Sequence, residues 1–385
     1  MKSKIKKIIV KANFVKVLSL PLLIFRIFPI KNNRILLQNF TGKGYGDSPK
    51  YIAEKLKNNG DYELYWVLRK NIKNDLPPNV KCVRLYSLKY FFILATSKIW
   101  ISNSRFDQYV IKRKKQYYIQ TWHSPLRIKK IEMDAINNLS DYYKKVMMND
   151  SKMIDLMICG CDFSFNIYRN SFLYNGKIEK IGTPRCDIFF DKKQTEENRK
   201  KIIDYYKLDD RKKIILYSPT FRTKRSVSEY IMDYQGVINK LGKNYVMLVR
   251  LHPRMNVAID KYENIIDVTN YSDIQDLICA ADYMITDYSS CCFDMLIANK
   301  PCLLFIKDIE QYKKEERDLY FDIEKLPFYK SKNEEDIVQF IKKDDFREYN
   351  LNVKKFKKQI NLYETGDSTN KILKIIERKT RNEKI

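Results

Sequence analysis

Short β-rich apolar runs alternate with helical stretches from residue 34 onward, and the same alternation begins again at residue 213. The first series has runs at 34–40, 64–68, 81–85, 98–102, 117–121, 156–159 and 178–181. The second has runs at 213–218, 245–250, 265–268, 283–286 and 302–306. Strands that alternate with helices pair in parallel, and the helices flank the sheet. Two such series in 385 residues, a length too great for one ordinary core, predict two α/β domains facing a cleft. The expected division is an N-terminal α/β domain over 31–200 and a C-terminal α/β domain over 201–385 that ends in a helix. The charged stretch 191–212 is their expected join.

The segment 1–30 stands apart. Lysines are spaced among Ile, Val and Phe in residues 1–16, and a more apolar stretch follows over 17–30. That stretch is shorter than the roughly 20 residues needed to span a bilayer, and Pro21 and Arg26 interrupt it. No small-residue cleavage site follows it. It reads either as an element lying in the membrane interface or as an ordinary first helix packed on the body. The first reading places the protein on the cytoplasmic face of the cell membrane as a peripheral protein, with an anionic membrane surface as partner.

A net charge of +26 suits polyanionic surroundings: nucleic acid, phosphorylated substrates or an anionic membrane face. The lysines are dispersed and no RNA or DNA module signature is present, so no specific nucleic-acid partner is expected. The eight cysteines form no C-x-x-C pair, and neither histidine has zinc-site spacing. They read as reduced packing residues, and no metal or other cofactor is expected.

Only two histidines occur. His123 lies in Tyr118-Ile119-Gln120-Thr121-Trp122-His123-Ser124-Pro125, and His252 in Val249-Arg250-Leu251-His252-Pro253-Arg254. Histidine is the side chain best suited to moving a proton near neutral pH, so a catalytic pair stands against two structural histidines. Ligands of open α/β sheets bind beyond the carboxyl ends of the strands, and both residues fall at such ends.

Two further segments fall at strand ends. Thr286-Asp287-Tyr288-Ser289-Ser290 follows a strand and opens a helix. The hydroxyls and N–H groups of Ser289 and Ser290 suit a phosphate there. Asp and Ser are also preferred cap residues, so capping alone is the other reading. Arg222, in Ser218-Pro219-Thr220-Phe221-Arg222, is either a two-pronged phosphate ligand or a solvated surface arginine. Arg250 and Arg254 add charge around His252. The loop 41–47 departs from both common glycine-rich phosphate spacings and reads as a turn.

Six ordered motifs resemble the CDP-glycerol glycerophosphotransferase family of teichoic acid and related cell-surface polymer synthesis. They are Asp47-Ser48-Pro49-Lys50, Gln120-Thr121-Trp122-His123, Gly182-Thr183-Pro184-Arg185-Cys186-Asp187, Ser218-Pro219-Thr220-Phe221-Arg222, Leu251-His252-Pro253, and Thr286-Asp287-Tyr288-Ser289-Ser290 with Phe293-Asp294. The resemblance implies a GT-B-like fold of two Rossmann-like domains. It implies His123 as catalytic base. It implies that His252, Arg222, Pro219, Thr220, Thr286, Asp287, Ser289, Ser290 and Asp294 hold the donor's phosphates and nucleotide. Trp122 and Asp47 fall on the acceptor side. One departure is that the family reads Trp-His-Gly-Thr-Pro-Leu where this chain, with Trp122-His123-Ser124-Pro125-Leu126, is one residue shorter.

The implied reaction moves a polyol phosphate, glycerol phosphate first and ribitol phosphate second, from a CDP-polyol such as CDP-glycerol. The acceptor is a hydroxyl of a lipid-linked saccharide or a growing polyol-phosphate chain, and CMP leaves. The rival is a GT-B glycosyltransferase using a nucleotide-sugar, which would release UDP instead.

Overall fold

Every strand pairing between the named strands is parallel. The computed structural model describes residues 17–381 apart from 74, 253, 256–258, 260 and 261, so the basic stretch 1–16 lies outside the described residues. The first sheet contains β1 (Lys31–Gln38), β2 (Glu63–Leu68), β3 (Val80–Arg84), β4 (Ser97–Ser102), β5 (Tyr117–Gln120), β6 (Leu156–Cys159) and β7 (Lys177–Lys180). The second contains β8 (Lys213–Ser218), β9 (Tyr245–Val249), β10 (Ile265–Asp267), β11 (Tyr283–Thr286), β12 (Cys302–Phe305) and β13 (Tyr329–Ser331). Their orders are β3-β2-β1-β4-β5-β6-β7 and β10-β9-β8-β11-β12-β13. Each is a doubly wound order that reverses direction once, at β1/β4 and at β8/β11. Such a reversal opens a crevice at the carboxyl ends of the strands.

The apolar runs are continuous because both faces of each sheet are covered. In β1, Leu36 packs with Trp100, Tyr118 and Met157, while Ile35 and Leu37 pack on the other face with Ile52, Trp66 and Ile101. In β8, Ile214 and Leu216 face one cluster and Ile215 and Tyr217 the other. Strand β13 carries Lys330 and Ser331 and so offers no apolar run; pairing with β12 makes it a strand.

The chain's course adds one feature to the expected join and changes one expectation. The charged stretch 191–212 is mostly a helix, Lys192–Tyr206, whose charges face solvent while Asn198 and Ile202 are buried. The C-terminal helix Ser368–Thr380 returns to the first sheet. Its Ile372, Ile375 and Ile376, spaced three and four apart, enter the cluster of Ile35, Leu37 and Trp66. Burying each such side chain contributes about 1.5–3 kcal/mol. The Asp187 carboxylate accepts from the N–H groups of Ser368 (3.0 Å) and Thr369 (2.7 Å), which caps this helix.

Residues 17–24 are helical. Leu22 is buried, whereas Val17, Leu20, Leu23, Ile24, Ile27 and Phe28 are exposed. Among the described residues no helix is long and apolar enough to cross a membrane.

Candidate active site

The crevice of the first sheet is built on a pair of asparagines. Asn103, just after β4, donates from Nδ2 to Asn39 Oδ1 (2.8 Å), just after β1, and its Oδ1 accepts from the Phe40 N–H (2.8 Å). The Asn103 carbonyl oxygen lies 2.9 Å from His123 Nδ1. A carbonyl can only accept, so Nδ1 carries the proton and Nε2 keeps its lone pair. The His123 ring is partly exposed, with Trp122 at 4.3 Å and Phe40 at 5.1 Å between ring centroids. Burial among these rings pushes its pKa down to about 4; nearby Arg185 and Arg127 act in the same direction, and Asp47 opposes them. The ring is therefore neutral at pH 7.

Strain gathers around it. Trp122, Phe40, Thr41 and Asp47 all have positive φ, of 51°, 41°, 55° and 59°. Such backbone costs of order 1–3 kcal/mol per residue and concentrates at functional sites. Trp122 is held by Gln120, whose Oε1 accepts its N–H at 2.9 Å. Its ring is buried against His123 and Phe172, so it forms a wall behind the histidine.

The loop after β1 is a tight turn. The Gly42 and Lys43 N–H groups both donate to the Asn39 carbonyl, at 2.8 and 3.0 Å. Gly42 has φ +82°, and a Cβ there would meet the Arg69 backbone nitrogen at 3.0 Å, so the position requires glycine. The turn leaves Lys43 exposed.

At the second crevice the structure redistributes the expected roles. Arg222 is 2% exposed, and its guanidinium is fully engaged. Nε meets Asp308 Oδ2 (2.9 Å), Nη2 meets Asp287 Oδ2 (2.9 Å), and Nη1 donates to the Thr220 carbonyl (2.6 Å). The rings of Tyr230, Tyr288 and Tyr312 enclose it at 4.5–4.9 Å. Contrary to expectation, it offers no free fork to a phosphate. It braces the loop instead, because Asp287 also accepts from the N–H groups of Thr220 (2.9 Å) and Tyr288 (2.6 Å). Replacing Arg222 with Lys is expected to lower stability by about 1–3 kcal/mol, since one ammonium cannot reach both carboxylates. Chemical denaturation measures this.

The Thr286 hydroxyl is buried and donates to the Ser218 carbonyl (2.6 Å). Pro219 is buried as well. The open groups here are the partly exposed Ser289 and Ser290, and Thr220, whose buried Oγ1 has no hydrogen-bond partner. Ser290 makes no side-chain capping bond, so capping does not occupy its hydroxyl.

Asp47 and Asp294 are engaged elsewhere. Arg185 Nη1 meets Asp47 Oδ2 (2.8 Å) and its Nη2 meets Asp294 Oδ2 (2.6 Å), all three being buried. This ion triad joins the helix after β1, the segment after β7 and the helix after β11. Asp47 still lies close enough to act on the His123 charge.

His252 is exposed and stacks on Phe221 at 5.6 Å. Its Nδ1 accepts from the Arg254 N–H (3.1 Å), so in the neutral ring Nε2 carries the proton. Partial desolvation of the ring against its neighbours, and then the positive charges of Arg254, Lys43 and Lys129, lower its pKa. Lys43 and Lys129 come from the first half of the chain, so the ring sits where the halves meet. The two histidines thus have separate partners and opposite neutral tautomers. The Arg250 guanidinium donates to the Tyr271 carbonyl (2.7 Å). Among the described residues no group of three or more His, Cys, Asp or Glu side chains converges as a metal site would require.

No local signal in the sequence assigns a role to Asn103, Arg185 or Asp308. Arg185 and Asp187 stand in one of the six motifs, but nothing local to it names their partners.

A family model described as CDP-Glycerol:Poly(glycerophosphate) glycerophosphotransferase matches residues 22–378. The chain is 31% identical over 392 aligned residues to a teichoic acid poly(glycerol phosphate) polymerase of Bacillus spizizenii, covering 97% of this chain and 99% of that one. It is 31% identical to a teichoic acid glycerol-phosphate transferase of Staphylococcus aureus, over 81% of this chain and 84% of that one. It spans only 44% and 49% of two longer polymerases, from Staphylococcus epidermidis and Bacillus subtilis. The solved structure of the wall teichoic acid polymerase TagF superimposes with a TM-score of 0.86 at 27% identity, over 100% of this chain and 99% of that one.

Proposed function

The chain belongs to the CDP-glycerol:poly(glycerophosphate) glycerophosphotransferase family, and from this we propose that it transfers glycerol phosphate from CDP-glycerol to a hydroxyl of a teichoic-acid-type acceptor and releases CMP. The observation that carries the assignment of the base is the His123 Nδ1 bond to the Asn103 carbonyl, which leaves Nε2 as an acceptor. The acceptor hydroxyl gives its proton to Nε2. Its oxygen attacks the phosphorus that bears the glycerol, the bond between the two phosphates breaks, and CMP carries away the electron pair. Burial holds the ring's basicity down and the Arg185 and Arg127 charges add to that effect; the phosphates of the donor oppose the smaller charge effect, so donor binding strengthens the base.

The second crevice holds the donor. His252 Nε2–H and the hydroxyls of Ser289, Ser290 and Thr220 face the diphosphate, while Arg222, Asp287, Thr286 and Pro219 keep that loop in shape. Asp294 and Asp47 act at a distance by fixing Arg185. Positioning and electrostatics supply most of the rate enhancement. The two sheets then work as an acceptor half over 31–200 and a donor half over 201–385, in a GT-B-like arrangement whose C-terminal helix crosses back.

Incubating the protein with CDP-glycerol or CDP-ribitol and lipid-linked acceptors, then measuring CMP and extended product, tests this reading. Release of UDP from a UDP-sugar, with no CMP from either CDP-polyol, would favour the glycosyltransferase rival, which the relatives do not.

The exposed apolar residues of 17–28, preceded by the basic stretch 1–16, support a peripheral site on the cytoplasmic face of the membrane beside a lipid-linked acceptor. Deleting residues 1–30 is expected to shift the protein from the membrane fraction to the supernatant. Unchanged sedimentation with anionic vesicles would refute that role.

A further inference from the structure

The loop that carries His123 continues directly into a contact between the two halves of the chain. Leu126 and Ile128 are buried in the second half's core cluster, with Tyr288, Cys291 and Tyr312. Residues 128–130 then run antiparallel to 318–320: Lys130 N–H donates to the Asp318 carbonyl (2.9 Å), Tyr320 N–H donates to the Ile128 carbonyl (2.7 Å), and Lys129 lies opposite Leu319. Successive residues of an extended chain point to opposite sides. Lys130 is tied to Asp318 by an ion pair. Lys129 is therefore turned to the other side, next to Leu319.

The groups that act on the Lys129 ammonium are Asp287, Arg317, Arg222 and Cys291. Asp287, Cys291 and Arg222 belong to the loops and helix of the second crevice, and Arg317 lies on the seam, where its Nη1 donates to the Lys130 carbonyl (3.4 Å). Asp287 is already committed to Arg222 and to the Thr220 and Tyr288 N–H groups, and Arg222 to Asp287 and Asp308. Among the described residues Lys129 makes no hydrogen bond or ion pair of its own, although it is half-buried. An unspent ammonium at a crevice whose arginine is already neutralised is a site for an anion, because an anion would relieve both its desolvation and its repulsion from Arg317.

We propose that Lys129 binds the donor diphosphate, carried across to the donor crevice on the strand segment that follows the catalytic base. This rests on the reading that the donor is a CDP-polyol. Because the same short segment carries His123 and Lys129, donor binding and placement of the base are coupled through six residues of chain. The ammonium's pKa is pushed down to about 8 by burial, so the free protein loses this charge as pH rises through about 8.

The test compares wild type with Lys129→Gln, Lys129→Arg and, on the same seam, Lys130→Gln. CDP binding is read by calorimetry, and kcat and KM for CDP-glycerol across pH. Lys129→Gln is expected to weaken CDP binding and raise KM by about 10- to 100-fold, as loss of one charge-assisted hydrogen bond implies. Wild-type kcat/KM is expected to fall as pH rises through about 8, and Lys129→Arg to retain binding and lose that basic limb. Lys130→Gln should leave CDP affinity unchanged. Wild-type CDP affinity in Lys129→Gln, whether or not its thermal midpoint moves, would overturn the proposal while leaving the donor assignment intact. A wild-type protein that neither binds CDP nor releases CMP would instead overturn the donor assignment on which the proposal stands.

Discussion

Replacing His123 with alanine is expected to lower CMP release by about 10²- to 10⁴-fold with donor and acceptor both saturating, the usual contribution of a positioned general base. CDP affinity should remain near that of wild type, because the ring belongs to the acceptor half. Near wild-type turnover in this variant would remove His123 from the role. The pH profile gives an independent check. The ring's pKa is pushed down to about 4 by burial, from an ordinary 6.5. The acid limb of kcat/KM in the free protein should therefore fall as pH drops through about 4, well below an ordinary histidine. Stability carries the same signature. Between about 6.5 and 4 the unfolded chain takes up a proton that the folded ring refuses, so His123 makes the fold less stable as pH falls through that window and has no effect above it. His123→Ala should flatten that part of the stability curve.

Replacing Arg185 with alanine is expected to destabilise the protein by about 3–5 kcal/mol, because removing one partner of a buried ion cluster strands the others. Here two carboxylates, Asp47 and Asp294, are left in a region where all three side chains are buried. Burial already pushes the Asp294 carboxyl up, and Arg185 is the first force opposing that shift. Without the arginine the carboxyl is harder still to ionise. The stability lost should therefore be greatest at neutral pH and shrink as pH falls and the acid takes its proton. Combining Arg185→Met with Asp47→Asn and Asp294→Asn should recover part of the loss, and asparagine tolerates the positive φ at position 47. Urea denaturation at two pH values reads both effects. A single variant as stable as wild type at neutral pH would show that the triad carries no net weight.

The two parallel sheets, the order of their strands along the chain and the placement of both histidines at strand ends could be read in the amino-acid sequence. The signals are local: runs such as Ile35-Leu36-Leu37 and Ile214-Ile215-Leu216 are continuous because each strand buries both faces, and that periodicity needs no knowledge of distant partners. Strand β13 is not legible in the sequence because its three residues have no such run. The C-terminal helix was legible as a helix, but its return to the first sheet was not, since its isoleucines would suit any apolar surface.

What the charged groups do was decided only by the tertiary structure. Arg222 and Asp308 stand 86 positions apart in sequence, and Arg185 stands 109 and 138 from its two carboxylates. A charged residue at a strand end looks the same whether it meets a ligand, solvent or a buried counter-ion. Arg222 and Asp294 therefore read as ligand groups and proved to be internal braces, while Lys129, in an unremarkable stretch, is a half-buried cation that makes no ion pair among the described residues. Hydrophobic periodicity is set by residues a few positions apart, so the sequence by itself determined the layers. Which charges neutralise one another is set by through-space distance at long sequence separation, so the fold alone decided which of them remain for a substrate.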